Sequence, residues 1–374
     1  MIYQLETGDK IHRYNRCLVA KFSGKRRVLS TSSHNGGYRE DLSAIFNRDV
    51  NPGVGKLSEY CKSSEEEKKK FIIDELGLDY TSVAYMATIV SMDHAAIKTL
   101  KYDTLSVTAI ATASLEVNGG RVGEEATCYE NCGENVPLKP GTINIMVFCN
   151  RDMTCECMAR SIMTSTEAKV AALQELMASS LRSSGIATGS GTDNIMIIAN
   201  ADSNDKLTYA GKHGKLGELI GRTVMDAVTE SLEKHMNLSA NSQHSVLSRT
   251  KRYGIDEKSL IEKIEVICPS LDISDVLHLV HTKDRNGVLV GLTSLYIHLM
   301  DQLKWGLISG KTASQCGEIL LNQISTCLSN ETIPENVFSE NINSMAELFT
   351  ACFADAVVCN LTNTNNLNQG DVTR

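Results

Sequence analysis

The stretch TINIMVFCNRDMTCECMARSIMTSTEAKVAALQELMA, residues 142–178, places a strand directly before a helix. Residues 142–149 form a short apolar run with β-branched members, which is typical of a buried strand. Residues 153–178 contain no glycine or proline and are rich in Ala, Met and Glu, which predicts a helix. The domain around this stretch therefore combines strands with helices.

Further apolar runs typical of strands, and a further pattern typical of a helix, occur on both sides of this stretch. Short apolar runs bounded by turn residues predict further strands at Leu18–Phe22, Arg27–Ser30, Val83–Met92, Leu105–Ala113 and Asn194–Ala199. A second helix is predicted over Leu216–Lys234, where the apolar residues form one stripe. Asn118–Gly119 predicts a tight hairpin turn between 115–117 and 121–122. Because strands and helices are interspersed without strict alternation, we expect an α+β fold with a mixed sheet covered by helices.

Composition divides the chain into four parts. Residues 1–235 carry the predicted strands and helices, whereas 236–252 are rich in Ser and Asn and are expected to form a linker. Residues 253–360 show helical patterns and no strand ladder, so we expect a mostly helical C-terminal domain of unknown role. Residues 361–374 are rich in Asn and Thr, which predicts a flexible tail.

Charge and hydropathy argue against a nucleic-acid-binding protein and against a membrane protein. The 374 residues include 37 Lys and Arg and 45 Asp and Glu, a net charge of −8, without a long basic run, so binding to nucleic acid is not expected. The apolar stretches 83–92 and 287–300 are too short or too polar for a membrane span, which needs about 20 apolar residues. The N-terminus lacks a signal-peptide pattern. We expect a cytoplasmic protein that binds a small molecule in a local site, as a monomer or a homo-oligomer.

The cysteines and histidines do not form a metal-binding pattern. Among the 12 cysteines, Cys128 with Cys132 and Cys155 with Cys157 are the close pairs, and neither has a matching second pair or a nearby histidine. We therefore expect reduced structural thiols and no protein-bound metal. The sequence also lacks the His-Glu-x-x-His pattern of zinc hydrolases and the Gly-x-Ser-x-Gly pattern of α/β-hydrolases.

Two segments contain more glycine and hydroxyl residues than a fold requires. Residues 30–37, STSSHNGG, end in Asn35, Gly36 and Gly37, and they either form a simple turn or expose backbone N–H groups to a ligand. Residues 184–193, SGIATGSGTD, end in Asp193 beside a predicted strand and match neither a Walker A loop nor a dinucleotide-binding loop. We expect this second segment to bind a polar ligand or an oxyanion next to a carboxylate.

Glu167 lies on a largely apolar face of the predicted helix. None of its helical neighbours can form an ion pair with it: Met163, Thr164, Val170 and Ala171. Either Glu167 faces a site, or it forms a capping box with Thr164 where one helix ends and another begins. The sequence leaves both roles open.

The segment 211–218, GKHGKLGE, leads into the second predicted helix. Lys212, His213 and Lys215 lie beside the helix N-terminus, where they would attract an anion. His213 is also a candidate acid or base, because an ordinary histidine titrates near neutral pH. The alternative is a solvated basic turn.

Five segments, taken in order, resemble the CbiZ-type adenosylcobinamide amidohydrolases of corrinoid salvage. They are Ser32–Gly37, Pro140–Ile145, Thr164–Lys169 with Ala172 and Leu173, Ala187–Asp193, and Gly211–His213 with Leu216–Gly221. The resemblance covers roughly residues 10–235. It implies hydrolysis of the amide that joins the aminopropanol arm of adenosylcobinamide to the corrin ring, giving adenosylcobyric acid and 1-amino-2-propanol. The cobalt is carried by the corrinoid substrate, so no further cofactor is expected.

The implied reaction assigns roles to the residues named above. Amide hydrolysis needs a base to activate water, donors for the tetrahedral oxyanion and an acid for the leaving amine. We expect the backbone amides of Gly189–Thr192 to hold the oxyanion. The candidate catalytic side chains are Asp193 and Glu167 as bases, His213 and Lys212 as acids, and Thr192 as an alternative nucleophile.

A large substrate rimmed with amide groups is expected to need a wide cleft. The candidate substrate-binding residues are Asn35, Gly36, Gly37, Asn144, Gly189, Ser190, Gly191 and Lys212. Two other functions remain open on the sequence: a corrinoid-binding protein without catalysis, and an amidase of other specificity.

The order strand, helix, glycine-rich segment, strand is also similar to that of the self-processing amidases of the ornithine-acetyltransferase and aminopeptidase type. Those proteins stack sheets between helices, so αββα layering is one form that the α+β domain can take. Self-cleavage is not expected.

Overall fold

The computed structural model describes four stretches of the chain: residues 1–53, 64–126, 142–329 and 341–370. The chain divides into two compact units, Met1–Ser239 and Ala240–Arg374. The predicted linker 236–252 is wrong in its extent, because a short helix, Val246–Thr250, occupies its second half and buries Val246 and Thr250.

Two β-sheets form the centre of the N-terminal unit. The strands are β1 Tyr3–Gln4, β2 Lys10–Tyr14, β3 Cys17–Lys21, β4 Arg26–Ser30, β5 Gly37–Arg39, β6 Ala44–Asp49, β7 Val83–Thr88, β8 Ala96–Tyr102, β9 Leu105–Ala113, β10 Gly119–Gly120, β11 Ile143–Cys149, β12 Asp152–Met153, β13 Gly189–Ser190, β14 Asn194–Asn200 and β15 Lys206–Leu207. The five-stranded sheet has the order β1-β2-β3-β6-β7, and the six-stranded sheet has the order β5-β4-β14-β11-β9-β8. Both sheets are mixed, since β6 pairs with β7 and β11 pairs with β14 in parallel, next to antiparallel neighbours.

Helices cover the outer faces of the two sheets. They are α1 Glu65–Lys70, which continues as a π-helical turn at Phe71–Glu75, then α2 Cys155–Glu175 and α3 Lys215–Met236, with short 3₁₀ turns at Tyr80–Ser82 and Met92–His94. The side chain of Thr154 caps the start of α2 by accepting a hydrogen bond from the Cys157 amide. From that cap, α2 runs without a break through the residues that carry part of the site.

Alternate residues of β11 contact different layers of the unit. Ile145 and Val147 belong to the core that α2 and α3 form with the six-stranded sheet. Met146 and Phe148 belong to the core between the two sheets. This alternation follows from the two-residue repeat of a strand, and it makes β11 a central strand with both faces buried.

The far face of the five-stranded sheet has its own small core. Phe46 of β6 packs there with Phe71 and Ile72 of the π-helical turn. The layers are therefore helix, sheet, sheet and helices, which confirms the expected α+β fold with mixed sheets and its αββα form.

The predicted strands and the two long helices of this unit are confirmed, while the predicted hairpin is wrong. The run Leu105–Ala113 is β9, with the same ends. Asn118–Gly119 does not join two local strands, because β10 pairs with β13, which lies about 70 residues further along the chain. The amide of Val122 also binds that partner, donating to the Thr188 hydroxyl at 2.8 Å. The turn residues therefore form part of a non-local contact.

The C-terminal unit consists of helices in its described residues, as expected. They are α4 Val246–Thr250, followed by a 3₁₀ turn at Lys251–Tyr253, then α5 Glu257–Ile267, α6 Ile273–Asp284, α7 Gly287–Lys304, α8 Gly310–Ser329 and α9 Ile342–Gly370. Tyr296, Phe349 and Phe353 are buried in its core. Helix α9 continues as far as Gly370, into the stretch predicted to be a flexible tail. Among the described residues, α9 is also long and apolar enough over 342–363 to cross a membrane, with 39% of that stretch buried within the protein.

Candidate active site

A hollow of about 650 Å³ lies in the N-terminal unit beside the glycine-rich segment 187–193. Its walls are formed by residues of the 118–126 stretch, by Thr166, Lys169 and Val170 on one turn of α2, by Arg182, and by residues 188–191 with Asp193. The volume falls in the range typical of small-molecule sites, about 300–1,000 Å³.

Two glycine-containing segments pair to form one wall of this hollow. On either side of the β10–β13 pair, the Thr188 amide donates to the Gly120 carbonyl at 2.9 Å, and the Gly191 amide donates to the Asn118 carbonyl at 3.2 Å. A Cβ atom at position 191 would lie 2.8 Å from Oδ1 of Asn118, so glycine is what allows this close approach. The sequence therefore uses its glycines here to build a wall out of backbone.

The Asp193 carboxylate lies at this wall and is largely buried. Its Oδ1 accepts hydrogen bonds from the Ile143 amide at 2.9 Å and from the Ser190 hydroxyl at 2.7 Å. The Ser190 amide lies 3.1 Å from both carboxylate oxygens, and Oδ2 accepts from the Lys169 ammonium at 2.5 Å. A carboxylate offers about four acceptor positions, and donors of the protein occupy them. The geometry thus favours Asp193 as an anchor between β11, α2 and β13 over the expected role of a base that faces water.

Lys169 is a site residue that sequence reasoning missed. It lies on the buried stripe of α2 with Ser165, Ala168 and Ala172, and its side chain is 9% exposed. An ammonium is rarely buried unless it is paired, and Lys169 pairs with Asp193. The available signal was the helical spacing of Lys169, which lies four residues after Ser165 and three before Ala172. A lysine on the buried stripe of a helix marks a charge directed into the protein.

The Gly189 backbone lies against this ion pair. A Cβ atom at position 189 would fall 2.6 Å from Nζ of Lys169 and closer still to Oδ2 of Asp193. Real side chains do not approach so closely, so any residue other than glycine would displace one of the two charged groups. The glycine at 189 is explained by the ion pair and not by a backbone conformation, because its φ angle is not positive.

Three of the four backbone amides expected to hold an oxyanion donate to acceptors inside the protein. The Ser190 amide donates to Asp193, the Gly191 amide to Asn118, and the Thr192 amide to the Ser190 hydroxyl at 3.3 Å. Of the four amides of Gly189–Thr192 expected to hold an oxyanion, the last three are therefore engaged within the protein. The segment instead arranges its donors around Asp193.

Thr192 is half-buried at the base of the turn. Its carbonyl accepts hydrogen bonds from the Thr142 hydroxyl at 2.5 Å and from the Asn194 side chain at 3.0 Å. Its hydroxyl oxygen lies 3.4 Å from the Asn118 side-chain amide, which is placed to donate to it. Thr192 thus links the wall of the hollow to the ends of β11 and β14.

Glu167 is placed on an exposed face of α2 and does not line the hollow. The capping-box alternative is wrong, because α2 continues through Thr164 without ending there. Glu167 instead forms an ion pair with Lys212 at 2.9 Å, and both side chains are more than half exposed. His213 is exposed next to this pair in the turn before α3, and it does not line the hollow either.

Asn35, Gly36 and Gly37 lie away from the residues that line the hollow. The Asn35 side-chain amide donates to backbone carbonyls of Val83 at 2.7 Å and Tyr80 at 3.1 Å. Its φ angle of 50° and the positive φ of Gly37 are the signature of a tight turn. The structure therefore favours the simple turn, the first of the two roles considered for this segment.

Asn144 is buried between the two sheets and cannot contact a ligand in the hollow. Its side-chain amide donates to Oδ1 of Asn47 at 2.8 Å and to the Ala87 carbonyl at 3.0 Å. Asn47 in turn donates to the Thr112 hydroxyl at 2.7 Å. The expected substrate-binding role is corrected to that of a polar link between the sheets.

The half-buried carboxylate of Glu124 also lies at the wall of the hollow. Burial alone would raise the pKa of Glu124. Hydrogen bonds from the Ser183 hydroxyl, the Arg121 amide and the Ser180 hydroxyl outweigh that effect and lower its pKa below the ordinary value. Glu124 is therefore ionised at neutral pH and ties the 180–183 turn to the wall.

The described cysteines at the start of α2 carry no metal-binding geometry. Cys155 is exposed and Cys157 is buried at the start of α2, and burial raises the pKa of Cys157 to about 11. The Cys128 and Cys132 pair lies outside the described residues. Among the residues that the structure does describe, no three His, Cys, Asp or Glu side chains are grouped to hold a metal ion.

Comparison with known proteins decides the family. Residues 2–240 match the family model CbiZ, adenosylcobinamide amidohydrolase. The chain belongs to this adenosylcobinamide amidohydrolase family. It is 33% identical over 238 residues to an uncharacterized protein of Methanocaldococcus jannaschii, an alignment that covers 60% of this chain and 89% of that protein. A crystal structure of a Pyrococcus horikoshii protein aligns over 59% of this chain and 78% of its own, with 10% identity and a TM-score of 0.29.

Three of the sequence segments that suggested the CbiZ family meet around α2. Lys169 binds Asp193 of the glycine-rich segment. One turn earlier, the Thr164 hydroxyl donates to the Ala210 carbonyl at 2.7 Å, beside the segment that starts α3. Residues 140–141 of a further segment lie outside the described residues. The hollow and its ion pair therefore lie within the part of the chain that matches the family.

Proposed function

We propose that this protein hydrolyses the amide bond between the aminopropanol arm and the corrin ring of adenosylcobinamide, giving adenosylcobyric acid and 1-amino-2-propanol. The observation that carries the proposal is the buried Lys169–Asp193 pair at the wall of a 650 Å³ hollow, in a chain of the adenosylcobinamide amidohydrolase family. A desolvated, paired charge at the wall of a hollow is typical of a site that stabilises charge during a reaction.

The size of the hollow suggests how such a substrate would bind. About 650 Å³ suits a drug-sized molecule, whereas a corrinoid with its adenosyl ligand is considerably larger. We therefore place the aminopropanol arm and the adjoining edge of the ring in the hollow, with the rest of the ring at its mouth. Arg121, Glu125 and Arg182 at the wall are exposed and offer polar contacts to the amide groups on the rim of the corrin.

The chemistry is amide hydrolysis by addition of water to the carbonyl carbon. We place the reaction in corrinoid salvage and in the cytoplasm, and the cobalt enters as part of the substrate. The proposed reaction needs no other metal or cofactor. The exposed Glu167, Lys212 and His213 remain candidates for proton transfer only if the substrate reaches them from the mouth of the hollow.

The test is a turnover assay with the purified full-length chain. Adenosylcobinamide is incubated with the protein, and adenosylcobyric acid and 1-amino-2-propanol are measured by liquid chromatography and mass spectrometry. Equal amounts of the two products, absent from a boiled sample, support the proposal. A corrinoid that stays bound and intact would support a binding protein, and cleavage of simple amides without cleavage of the corrinoid would support another amidase.

A further inference from the structure

The amide hydrolysis proposed above needs a donor for the negative charge that develops on the carbonyl oxygen. The amides of Ser190, Gly191 and Thr192 are engaged with Asp193, Asn118 and the Ser190 hydroxyl. Donors that are already satisfied inside the protein cannot serve the substrate without a rearrangement. A group that faces the hollow and keeps N–H donors of its own is better placed to meet this charge.

Lys169 is placed to be that group. Lys169 lines the hollow, and its ammonium has three N–H donors. Among the residues that the structure describes, its hydrogen bond goes to Asp193 alone, which leaves N–H groups for a ligand or water. The side chain is 9% exposed, so a hydrogen bond that it makes to substrate is little weakened by solvent.

A purely structural role explains this arrangement less well. A buried ion pair adds little stability compared with apolar side chains of similar size, so stability alone does not call for one. Here the pair also requires glycine at position 189, where a Cβ atom would lie 2.6 Å from Nζ. Lys169 thus lies on the buried stripe of α2, and the lack of a side chain at Gly189 leaves the space that its ammonium needs.

We infer that Lys169 is a catalytic residue, whose ammonium donates a hydrogen bond to the carbonyl oxygen of the scissile amide and stabilises the tetrahedral oxyanion. Asp193 is then a positioning residue that holds the ammonium at the wall. This inference rests on the proposed function and names the group that carries out its charge stabilisation.

The atoms and charges of the step balance without consuming Lys169. Water adds to the carbonyl carbon, and the π electron pair moves to the oxygen that accepts from Lys169. When the C=O bond re-forms, the C–N bond breaks and its electron pair goes to nitrogen. Both protons of the water end on the leaving amine, so a carboxylate and an ammonium ion are released.

The experiment compares three variants of the full-length chain: K169M, D193N and the double variant K169M/D193N. In K169M alone, a buried carboxylate loses its partner, which can lower stability as well as activity. The double variant removes both charges, and the side-chain carbonyl that D193N introduces can still accept from the Ile143 amide and the Ser190 hydroxyl. A matched control is K101M, which removes an exposed lysine paired with Glu6.

We expect K169M/D193N to recover the melting temperature of the wild type to within a few degrees, while its kcat stays at least about 100-fold below wild type. That is the usual loss on removal of one oxyanion donor. K101M should keep wild-type kcat and KM. If the double variant instead turned over adenosylcobinamide at the wild-type rate, Lys169 would be only a counter-ion for Asp193 and the inference would be overturned.

A binding measurement keeps the inference testable even if a variant is inactive for another reason. The carboxylate of adenosylcobyric acid would lie where the oxyanion forms, so K169M/D193N should bind this product at least about 10-fold more weakly, as expected for a charged hydrogen bond. Its affinity for adenosylcobinamide should change less than about three-fold. Equal losses for both ligands would contradict the inference. Wild-type protein that binds both corrinoids but forms no product would overturn the proposed function itself, which separates the two failures.

Discussion

Gly189 leaves the space that the Asp193 carboxylate occupies, because a Cβ atom at position 189 would lie well under 3.0 Å from its Oδ2. The carboxylate cannot move aside freely, since the Ile143 amide and the Ser190 hydroxyl hold its other oxygen. Glycine, carboxylate and ammonium therefore form one unit, in which a methyl group can disturb the charges without touching the substrate.

Substitution of Gly189 by alanine should therefore impair catalysis more than folding. We expect G189A to lower kcat for adenosylcobinamide by about 100-fold, the scale of a misplacement of about 1 Å in an active site. The free energy of unfolding should fall by about 1–3 kcal/mol because of overpacking. Steady-state kinetics and urea unfolding measure the two effects.

The control for this substitution is G221A in α3. A Cβ atom at position 221 would meet nothing within 4 Å, and its φ angle is not positive. Alanine favours a helix over glycine by up to about 1 kcal/mol, so G221A should be neutral or stabilising, with unchanged kcat. If G189A were as active as G221A, the ion pair would have no part in the reaction.

Asn144 should act on stability and not on substrate binding. Alanine at this position leaves Oδ1 of Asn47 without its 2.8 Å donor between the two sheets. The loss of a buried partner costs about 1–3 kcal/mol of the free energy of unfolding. We expect N144A to show this loss in urea unfolding with a KM close to that of the wild type. A large rise in KM at unchanged stability would show instead that Asn144 contacts the substrate.

Glu167 should be nearly dispensable in this structure. Its ion pair with Lys212 at 2.9 Å is exposed, and such pairs contribute about 0–1 kcal/mol. We expect E167Q to change the free energy of unfolding by less than about 1 kcal/mol and kcat by less than ten-fold, a small effect compared with loss of an acid or base, which costs about 100-fold or more. A fall in kcat of about 100-fold would show that the exposed carboxylate reaches the substrate after all.

His235 should make the stability of the N-terminal unit depend on pH. Its Nδ1 lies 3.1 Å from Nδ1 of His94, and its Nε2 lies 3.4 Å from the Glu116 carboxylate. Burial lowers the pKa of His235 below its ordinary value of 6.5. The charge of Glu116 opposes this shift, His94 adds to it, and Asp49 opposes it. Because the net pKa in the folded state is lowered, the unfolded state takes up the proton more readily as the pH falls.

The free energy of unfolding should therefore decrease as the pH falls below about 6.5, before the carboxylates titrate near 4.5. We expect the variant H235Q to lose most of this decrease between pH 6.5 and about 5.5. Urea unfolding at a series of pH values measures it. An equal slope in wild type and H235Q would assign the effect to other histidines.

The parts of the fold that can be predicted are those with strong local signals. β9 is predicted to the residue because eight of its nine positions are buried and six of its nine residues are apolar. β2 and β8 are not predicted, because β2 buries one of its five residues and β8 is an edge strand with lysines at positions 98 and 101. The periodicity of a strand is weak where only one side chain meets the core.

The site shows the same limit. The glycines and Asp193 are recognisable because they are unusual before a strand, and they lie at the hollow. Lys169 is missed because its partner is 24 residues away and on another element. Asn144 is misassigned because β11 is buried on both faces, so a polar residue on it serves the interior instead of a ligand. Burial and long-range pairing decide such roles, and neither is contained in a local pattern.

The most direct test of the central claim is a single measurement of product formed in water enriched in ¹⁸O. Wild-type protein is mixed with adenosylcobinamide, and the mass of the adenosylcobyric acid formed is determined. Hydrolysis at the hollow predicts one ¹⁸O atom in the new carboxylate of each product molecule, together with free 1-amino-2-propanol. Recovery of all the adenosylcobinamide intact, with none of the acid formed, would contradict the account.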